Sequence, residues 1–189
     1  VEPPTTGKTE QWNGSSWTEV GDLNTARAHL GGAGTTSAAL AIGGEPTTAV
    51  TEEWNAGLPV GAWSTGGVLN TARKGLAGAG SQTAALGFGG YLNAQTEKYN
   101  GTSWTEVNDL NTARTYLGGA STQTSALGFG GNGNTAITET YNGSSWTGVA
   151  DLSTGRDQLG SCGADNTSAL SFSGQRPLTR KTESWNGSA

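Results

Sequence analysis

Little in this sequence is basic, sulfur-bearing or continuously apolar, and each shortage removes a class of function. There is no methionine, one cysteine (Cys162) and one histidine (His29) in 189 residues. A single cysteine cannot close an internal disulfide, and no Cys/His cluster has metal-ligand spacing, so neither a metal nor a cofactor is expected. Ten basic residues face fifteen acidic ones, for a net charge of −5. That balance argues against nucleic acid, which selects basic patches. No apolar run approaches the ~18 residues that cross a bilayer, so membrane insertion is not expected. No sustained 3.6-residue apolar period occurs, so no helix is expected either. No signal peptide is visible, and the first residue is Val1, which reads as a processed or recombinant chain or a fragment of something longer.

What is abundant is glycine, at 32 residues, without the strict Gly-X-Y period that collagen needs. Only 33% of the residues are hydrophobic, yet seven Trp, four Tyr and three Phe are present. Those aromatics recur at fixed places, which argues against disorder and for a core made of few, large side chains.

The recurrence is a repeat. Thr9-Glu10-Gln11-Trp12-Asn13-Gly14-Ser15-Ser16-Trp17 returns at 51–63, 96–104 and 138–146, and a partial copy closes the chain at 182–187. Glu10, Glu52, Glu97, Glu139 and Glu183 stand 42, 45, 42 and 44 residues apart. A second block, Leu23-Asn24-Thr25-Ala26-Arg27, returns at 69–73 and 110–114, and in altered form (LSTGR) at 152–156. A third, Ala39-Leu40-Ala41-Ile42-Gly43-Gly44, returns at 85–90, 126–131 and 169–174. A period near 43 fits one four-stranded propeller blade. The strands expected in each repeat are a glycine-rich one from Arg27 to Ala33, then Ala38–Ile42, then Val50–Trp54, then one starting at the repeated Trp. Only small side chains fit the innermost strand, so Cys162, at the position of Ala33, Ala79 and Ala120, reads as an inert packing residue. The Asn-Gly pairs at 13, 100, 142 and 186 form formal glycosylation sequons, which tight-turn chemistry alone explains.

The order Gly89-Gly90, Glu97-Lys98-Tyr99-Asn100, Trp104, Arg114 resembles the kelch repeat, and the resemblance covers nearly the whole chain. It implies an all-β fold: one β-propeller domain over residues 1–189 with about four four-stranded kelch-like blades. The Asn-Gly turn and the Asn-Thr-Ala-Arg block depart from the common kelch pattern. That wording is similar to repeat proteins of tailed phages from aquatic environments, which are particle components. Four copies of strands one, two and four, against five of strand three, are compatible with a ring closed by pairing N-terminal with C-terminal strands. The alternatives are five blades or completion by another chain, because unpaired strand edges invite association, including with another copy.

Each residue set has a bland and a sharp reading. Arg27, Arg73, Arg114 and Arg156 read as structural partners of the glutamates or of blade carbonyls rather than as an anion site, since every blade has one. Trp17, Trp63, Trp104 and Trp146 read as buried between neighbouring strands rather than as sugar platforms. The glutamates lie on separate blades, which speaks against the paired carboxylates of a glycosidase. His29 has no Ser or carboxylate partner in sequence, so no catalytic residue is assigned and an enzyme is not expected. The repeats differ in the loop between strands two and three: Glu45-Pro46-Thr47-Thr48, Tyr91-Leu92-Asn93, Asn132-Gly133-Asn134 and Gln175-Arg176-Pro177-Leu178-Thr179-Arg180. Binding on a rigid ring resides in such loops, which makes Glu45, Thr47, Tyr91, Asn93, Asn132, Asn134, Gln175 and Arg176 the candidate contact residues. The insertion Gly57-Leu58-Pro59-Val60, on the opposite face, is a second contact candidate. The expected function is that of a non-enzymatic structural or receptor-binding module of a phage particle or extracellular assembly. Its partners would be other particle proteins or a cell-surface receptor. A glycan-binding lectin with repeated sites is the alternative.

Overall fold

A computed structural model describes residues 5–57, 61–133, 135–175 and 178–188. Among these residues there are seventeen strands and no helix. A hairpin of β1 (Glu10–Trp12) and β2 (Trp17–Glu19) comes first. Blade 1 follows as β3 (Gly31–Gly34), β4 (Ala38–Ile42), β5 (Thr51–Asn55) and β6 (Ala62–Thr65). Blade 2 is β7 (Ala77–Ser81), β8 (Ala84–Phe88), β9 (Thr96–Tyr99) and β10 (Trp104–Val107). Blade 3 is β11 (Gly118–Thr122), β12 (Ser125–Phe129), β13 (Thr138–Tyr141) and β14 (Trp146–Val149). Blade 4 is β15 (Gly160–Asp165), β16 (Ser168–Phe172) and β17 (Thr182–Trp185). Every sheet is an antiparallel meander paired in chain order, and together they make an all-β, four-blade propeller. Arg27, Ala28, His29 and Leu30, which were expected to belong to the first strand, lie outside β3, and Ala28 forms an isolated bridge with Glu45.

The inner strands stack in series: β3 on β7, β7 on β11, β11 on β15. Their contact is close enough to demand glycine. A Cβ on Gly78 would lie 2.5 Å from the Gly32 carbonyl oxygen. Outward from this seam, each blade meets the next through a repeated apolar set. Leu86 and Phe88 of blade 2 pack with Ala126, Tyr141 and Trp146 of blade 3, and Phe88 sits 4.8 Å from the Trp146 ring. Leu40 and Ile42 meet Ala85, Tyr99 and Trp104 in the same way one blade earlier.

The tryptophans that open the fourth strands face the preceding blade. Trp104 Nε1 donates to Thr51 Oγ1 at 3.1 Å, Trp146 Nε1 to Thr96 Oγ1 at 3.0 Å, and Trp63 Nε1 to Thr9 Oγ1 at 2.9 Å. Trp104 and Trp146 are buried and Trp63 is half-buried, but Trp17 is 64% exposed. Burial of all four was expected. Trp17 differs because no blade precedes the β1–β2 hairpin in the described structure. Cys162 departs for the mirror reason. Ala79 and Ala120 are buried against a following blade, whereas Cys162 on β15 is exposed, with no following blade against it among the described residues.

Pairing of N-terminal with C-terminal strands does not occur. β1 pairs only with β2 and β17 only with β16, while β3 and β15 do not pack on each other. The hairpin stays beside blade 1 because each fourth-strand Trp binds the third strand of the preceding unit, and Thr9 serves Trp63. The Asn-Gly turns also differ from a two-residue hairpin. Asn100 Oδ1 accepts from the Thr102 and Ser103 backbone N–H groups at 3.0 and 2.9 Å, so the asparagine side chain closes a four-residue loop.

Trp104→Ala is expected to cost about 3–5 kcal/mol, and Trp17→Ala no more than about 0.5 kcal/mol, as for other exposed sites, measured by denaturant unfolding. Tyr99 and Tyr141 occupy equivalent positions, but Tyr99 donates its hydroxyl to Glu53, while the buried Tyr141 hydroxyl has no partner among the described residues. Burial raises both phenols above the usual tyrosine value, with Glu53 adding to the effect at Tyr99. The folded state therefore favours the neutral phenol. That stability is present below a pH of about 10 and is lost as pH rises through the raised values. Alkaline unfolding followed at 295 nm should show it. Tyr99→Phe should cost about 1 kcal/mol and Tyr141→Phe nothing measurable.

Candidate binding face

Each blade is organised around one buried arginine. Arg73 Nη2 meets Glu97 Oε1 at 2.8 Å, and its Nη1 donates to the Gly89 and Gln95 carbonyls at 3.0 and 2.6 Å. Arg27–Glu52, Arg114–Glu139 and Arg156–Glu183 pair alike at 2.9, 2.8 and 2.8 Å. Burial pulls the Arg73 and Arg114 guanidinium groups below the usual arginine value, while Glu97 and Glu139 pull them back. Both remain cations, since arginine does not deprotonate in proteins.

Asparagine of the Asn-Thr-Ala-Arg block, which had no assigned role, occupies the second carboxylate oxygen. Asn70 donates its backbone N–H and its Nδ2 to Glu97 Oε2 at 2.7 and 2.8 Å, and Nδ2 also reaches the Trp104 carbonyl at 3.1 Å. Asn24 and Asn111 repeat the arrangement on Glu52 and Glu139. At the altered LSTGR block, the Ser153 backbone N–H takes the Glu183 Oε2 atom at 2.7 Å, with no side-chain amide beside it. The signal was in the sequence, since Asn appears wherever a fourth strand follows. These four glutamates are engaged by arginine on separate blades, and no group of three or more His, Cys, Asp or Glu sits together among the described residues.

The Gly-Gly pair ends strand two in the left-handed region. Gly89 and Gly90 have φ of 68° and 120°, and a Cβ on Gly89 would lie 2.8 Å from the Arg114 carbonyl oxygen. Gly90 N–H donates to that carbonyl at 2.9 Å, as Gly44 does to Arg73 and Gly131 to Arg156. The chain then enters the variable loop beside the residues that follow the same blade's own arginine. Tyr91 N–H donates to the Lys74 carbonyl at 2.9 Å, Asn132 N–H to Thr115 at 2.8 Å, and Gln175 N–H to Asp157 at 2.8 Å. Loops and post-arginine residues thus share one face.

At the centre of that face His29, Gly75, Tyr116 and Gln158 occupy equivalent positions with φ of 51°, 65°, 57° and 50°. Left-handed backbone is costly for residues other than glycine and persists where surrounding bonds over-determine it. Here a chain of bonds does so. Gly75 N–H donates to His29 O, Tyr116 N–H to Gly75 O and Gln158 N–H to Tyr116 O, at 2.8, 2.8 and 2.9 Å. His29 and Tyr116 meet edge to face at 5.0 Å across the mouth of the axial channel. A shallow depression between them is floored by Leu30, Leu76 and Leu117.

Around this centre the candidate residues divide. Glu45 accepts from Lys74 Nζ at 2.8 Å and lies 3.6 Å from His29 Nδ1, and Lys74 holds its carboxyl below the usual range. Lys74 lies 5.6 Å from the Tyr91 ring centre. Tyr91 and its neighbour Leu92 are 61% and 75% exposed. Thr47 and Gln175 are exposed, whereas Asn93 turns inward, bonding Gln95 through both its Nδ2 and Oδ1. Asn132 is exposed, but its Oδ1 accepts from Thr115 N–H at 2.8 Å. Asn134 and Arg176 lie outside the described residues, as do Leu58, Pro59 and Val60 of the insertion. Further surface groups of this face are Leu92, in the variable loop with Tyr91, and His29, Lys74, Tyr116 and Gln158, which lie just after the arginines, where the repeats also disagree. No family model matches the chain, and no curated protein is significantly similar to it.

The ion pair differs in exposure along the propeller: the Glu97 side chain is 1% exposed and that of Glu183 is 23%. Removing one partner of a buried pair strands the other charge, at about 3–5 kcal/mol. Glu97→Ala should therefore lower the melting temperature by about 10 °C for a domain of this size, and Glu183→Ala by less than half as much. Calorimetry of the two variants checks it.

Proposed function

We propose that the chain is a non-enzymatic binding module of a phage particle or other extracellular assembly, engaging a cell-surface receptor or a neighbouring particle protein through the face that carries the variable loops. One observation carries this reading. Tyr91 and Leu92 project from a loop whose backbone is bonded to the next blade, beside the Glu45–Lys74 pair and the His29–Tyr116 mouth. An exposed aromatic and aliphatic pair on a rigid support, next to fixed charges, is the make-up of an interface anchor with an oriented rim. The likeness of the repeat wording to phage particle proteins supports the setting, and the kelch-like pattern supports a scaffold role for the framework.

A glycan is the second reading. Tyr91, Tyr116 and His29 supply aromatic surface, and Gln158 and Gln175 exposed amides, as sugar recognition requires. The buried Trp54, Trp104 and Trp146 are not available as platforms.

The test uses fluorescently labelled protein against a panel of bacterial cell surfaces and a glycan array. We expect binding that is lost in a Tyr91→Ser/Leu92→Ser variant whose melting temperature matches the parent. Array signal lost in the same variant would favour the glycan. Binding that survives this variant, and survives replacement of each loop in turn, would reject the loop face.

A further inference from the structure

Two residues past each buried arginine the chain reaches the axis, at His29, Gly75, Tyr116 and Gln158. Three of the four steps around this mouth are closed by backbone. Gly75 N–H donates to His29 O, Tyr116 N–H to Gly75 O and Gln158 N–H to Tyr116 O. The step from blade 4 back to blade 1 is open. Among the described residues the His29 N–H and the Gln158 carbonyl have no hydrogen-bond partner, although the three counterparts of each are paired. Blades 1 and 4 nonetheless border one axial cavity, which Gly31 and Gly32 of β3 line together with Ser161 of β15. One donor and one acceptor of the main chain therefore stand at the rim of the mouth.

The depression at this mouth has a volume of about 220 Å³. Sites that enclose a whole small molecule run to ~300–1,000 Å³, so this one has room for a single substituent. Its floor is Leu30, Leu76 and Leu117. Its walls include the His29 and Tyr116 rings, which meet edge to face at 5.0 Å. The occupant that satisfies this surface must accept from His29 N–H, donate to the Gln158 carbonyl and lay an apolar end on the leucines. A secondary amide ending in a methyl group does all three. Its C=O and N–H point to opposite sides of a planar unit, so one group serves both rim atoms. A main-chain amide continues on both sides and cannot enter a floored depression end first. An acetamido group enters with its methyl leading.

We propose that the axial mouth is a binding site for the acetamido group of an N-acetylated amino sugar. The acetamido carbonyl accepts from His29 N–H, its N–H donates to the Gln158 carbonyl, and its methyl rests on Leu30, Leu76 and Leu117. The sugar ring then lies level with His29 and Tyr116, whose rings offer it an apolar surface with a polar tip. The exposed side chains of Gln158, Gln175 and Thr47 stand on the same face for its hydroxyls. This site lies within the loop face and rests on the cell-surface reading given above, in its glycan form.

Amide resonances of the full chain, followed by NMR during titration with N-acetylglucosamine and N-acetylgalactosamine, test it. The His29 amide should shift most, with a dissociation constant of about 1–10 mM for one of the two sugars. Glucose and galactose lack the acetamide and should bind at least about tenfold more weakly, since the rim donor and acceptor then go unpaired. Tyr116→Gly removes one wall and keeps a residue that fits this backbone, as Gly75 does at φ 65°. That variant should keep the parent amide spectrum away from the mouth and bind about tenfold more weakly. No response to either acetamido sugar overturns the site. So does an equal response to the sugars without acetamide, or a response centred away from His29. Cell binding that is lost in Tyr91→Ser/Leu92→Ser, in a chain silent toward both acetamido sugars, overturns this site and leaves the loop-face reading standing. An acetamido response at His29, in a chain whose cell binding ignores every loop replacement, upholds the site and rejects that reading.

Discussion

A guanidinium removed from water must find a carboxylate and its carbonyl acceptors together, or the cost exceeds any gain. In this chain that condition fixes the geometry of every blade. The arginine sits on the segment that enters the inner strand. Its acceptors lie at the end of strand two, at the start of strand three and on strand three itself. The asparagine three residues before it binds the other carboxylate oxygen and the carbonyl of the Trp that opens strand four. One short segment thus holds all four strands in register. A buried ion pair is not by itself a source of net stability; what it adds to each blade is a fixed strand register. With so many glycines and small residues in the inner strands, apolar packing alone would leave the register weakly determined.

The same segment couples blades to one another. The Gly44, Gly90 and Gly131 N–H groups each donate to the arginine carbonyl of the following blade. Strand two therefore ends where the next blade begins, and the inner strands approach closely enough to exclude a Cβ at Gly78. A repeat built this way is satisfied only between neighbours, as in other repeat architectures. The exposed Trp17 at one end, and Leu170 and Phe172 at the other, are the consequence.

The loop face inherits its rigidity from this scheme. The variable loops start directly after the glycine pair and lie against residues just past the same blade's arginine. Left-handed backbone at His29, Tyr116 and Gln158 is held by bonds running from blade to blade. Variation in side chains at these places leaves the framework untouched, because the framework bonds there are made by backbone. That separation lets Glu45, Lys74, Tyr91 and Leu92 form a surface unlike that of blade 3, where Asn132 and Gly133 occupy the loop.

The period of the sequence by itself determined the all-β class and the strand order within each blade. Those follow from residues that must recur at each turn of the repeat: Glu and Arg for the buried pair, Gly for the left-handed exit from strand two, Leu and Phe for the next interface. It also located the variable loops, since they are where recurrence stops. Tertiary structure alone decided what each copy experiences. Trp17 and Trp104 occupy the same place in the repeat and read identically, yet one is exposed and the other buried. Cys162 and Ala120 differ in the same way. Burial of these side chains depends on whether a neighbouring blade lies against that face, and a repeat unit carries no local mark of its neighbours. The meeting of His29 with Tyr116 and the bonds from the Gly44, Gly90 and Gly131 N–H groups to the next blade's arginine likewise depend on distances across blades. No pattern along the chain encodes those, because they are set when the inner strands pack.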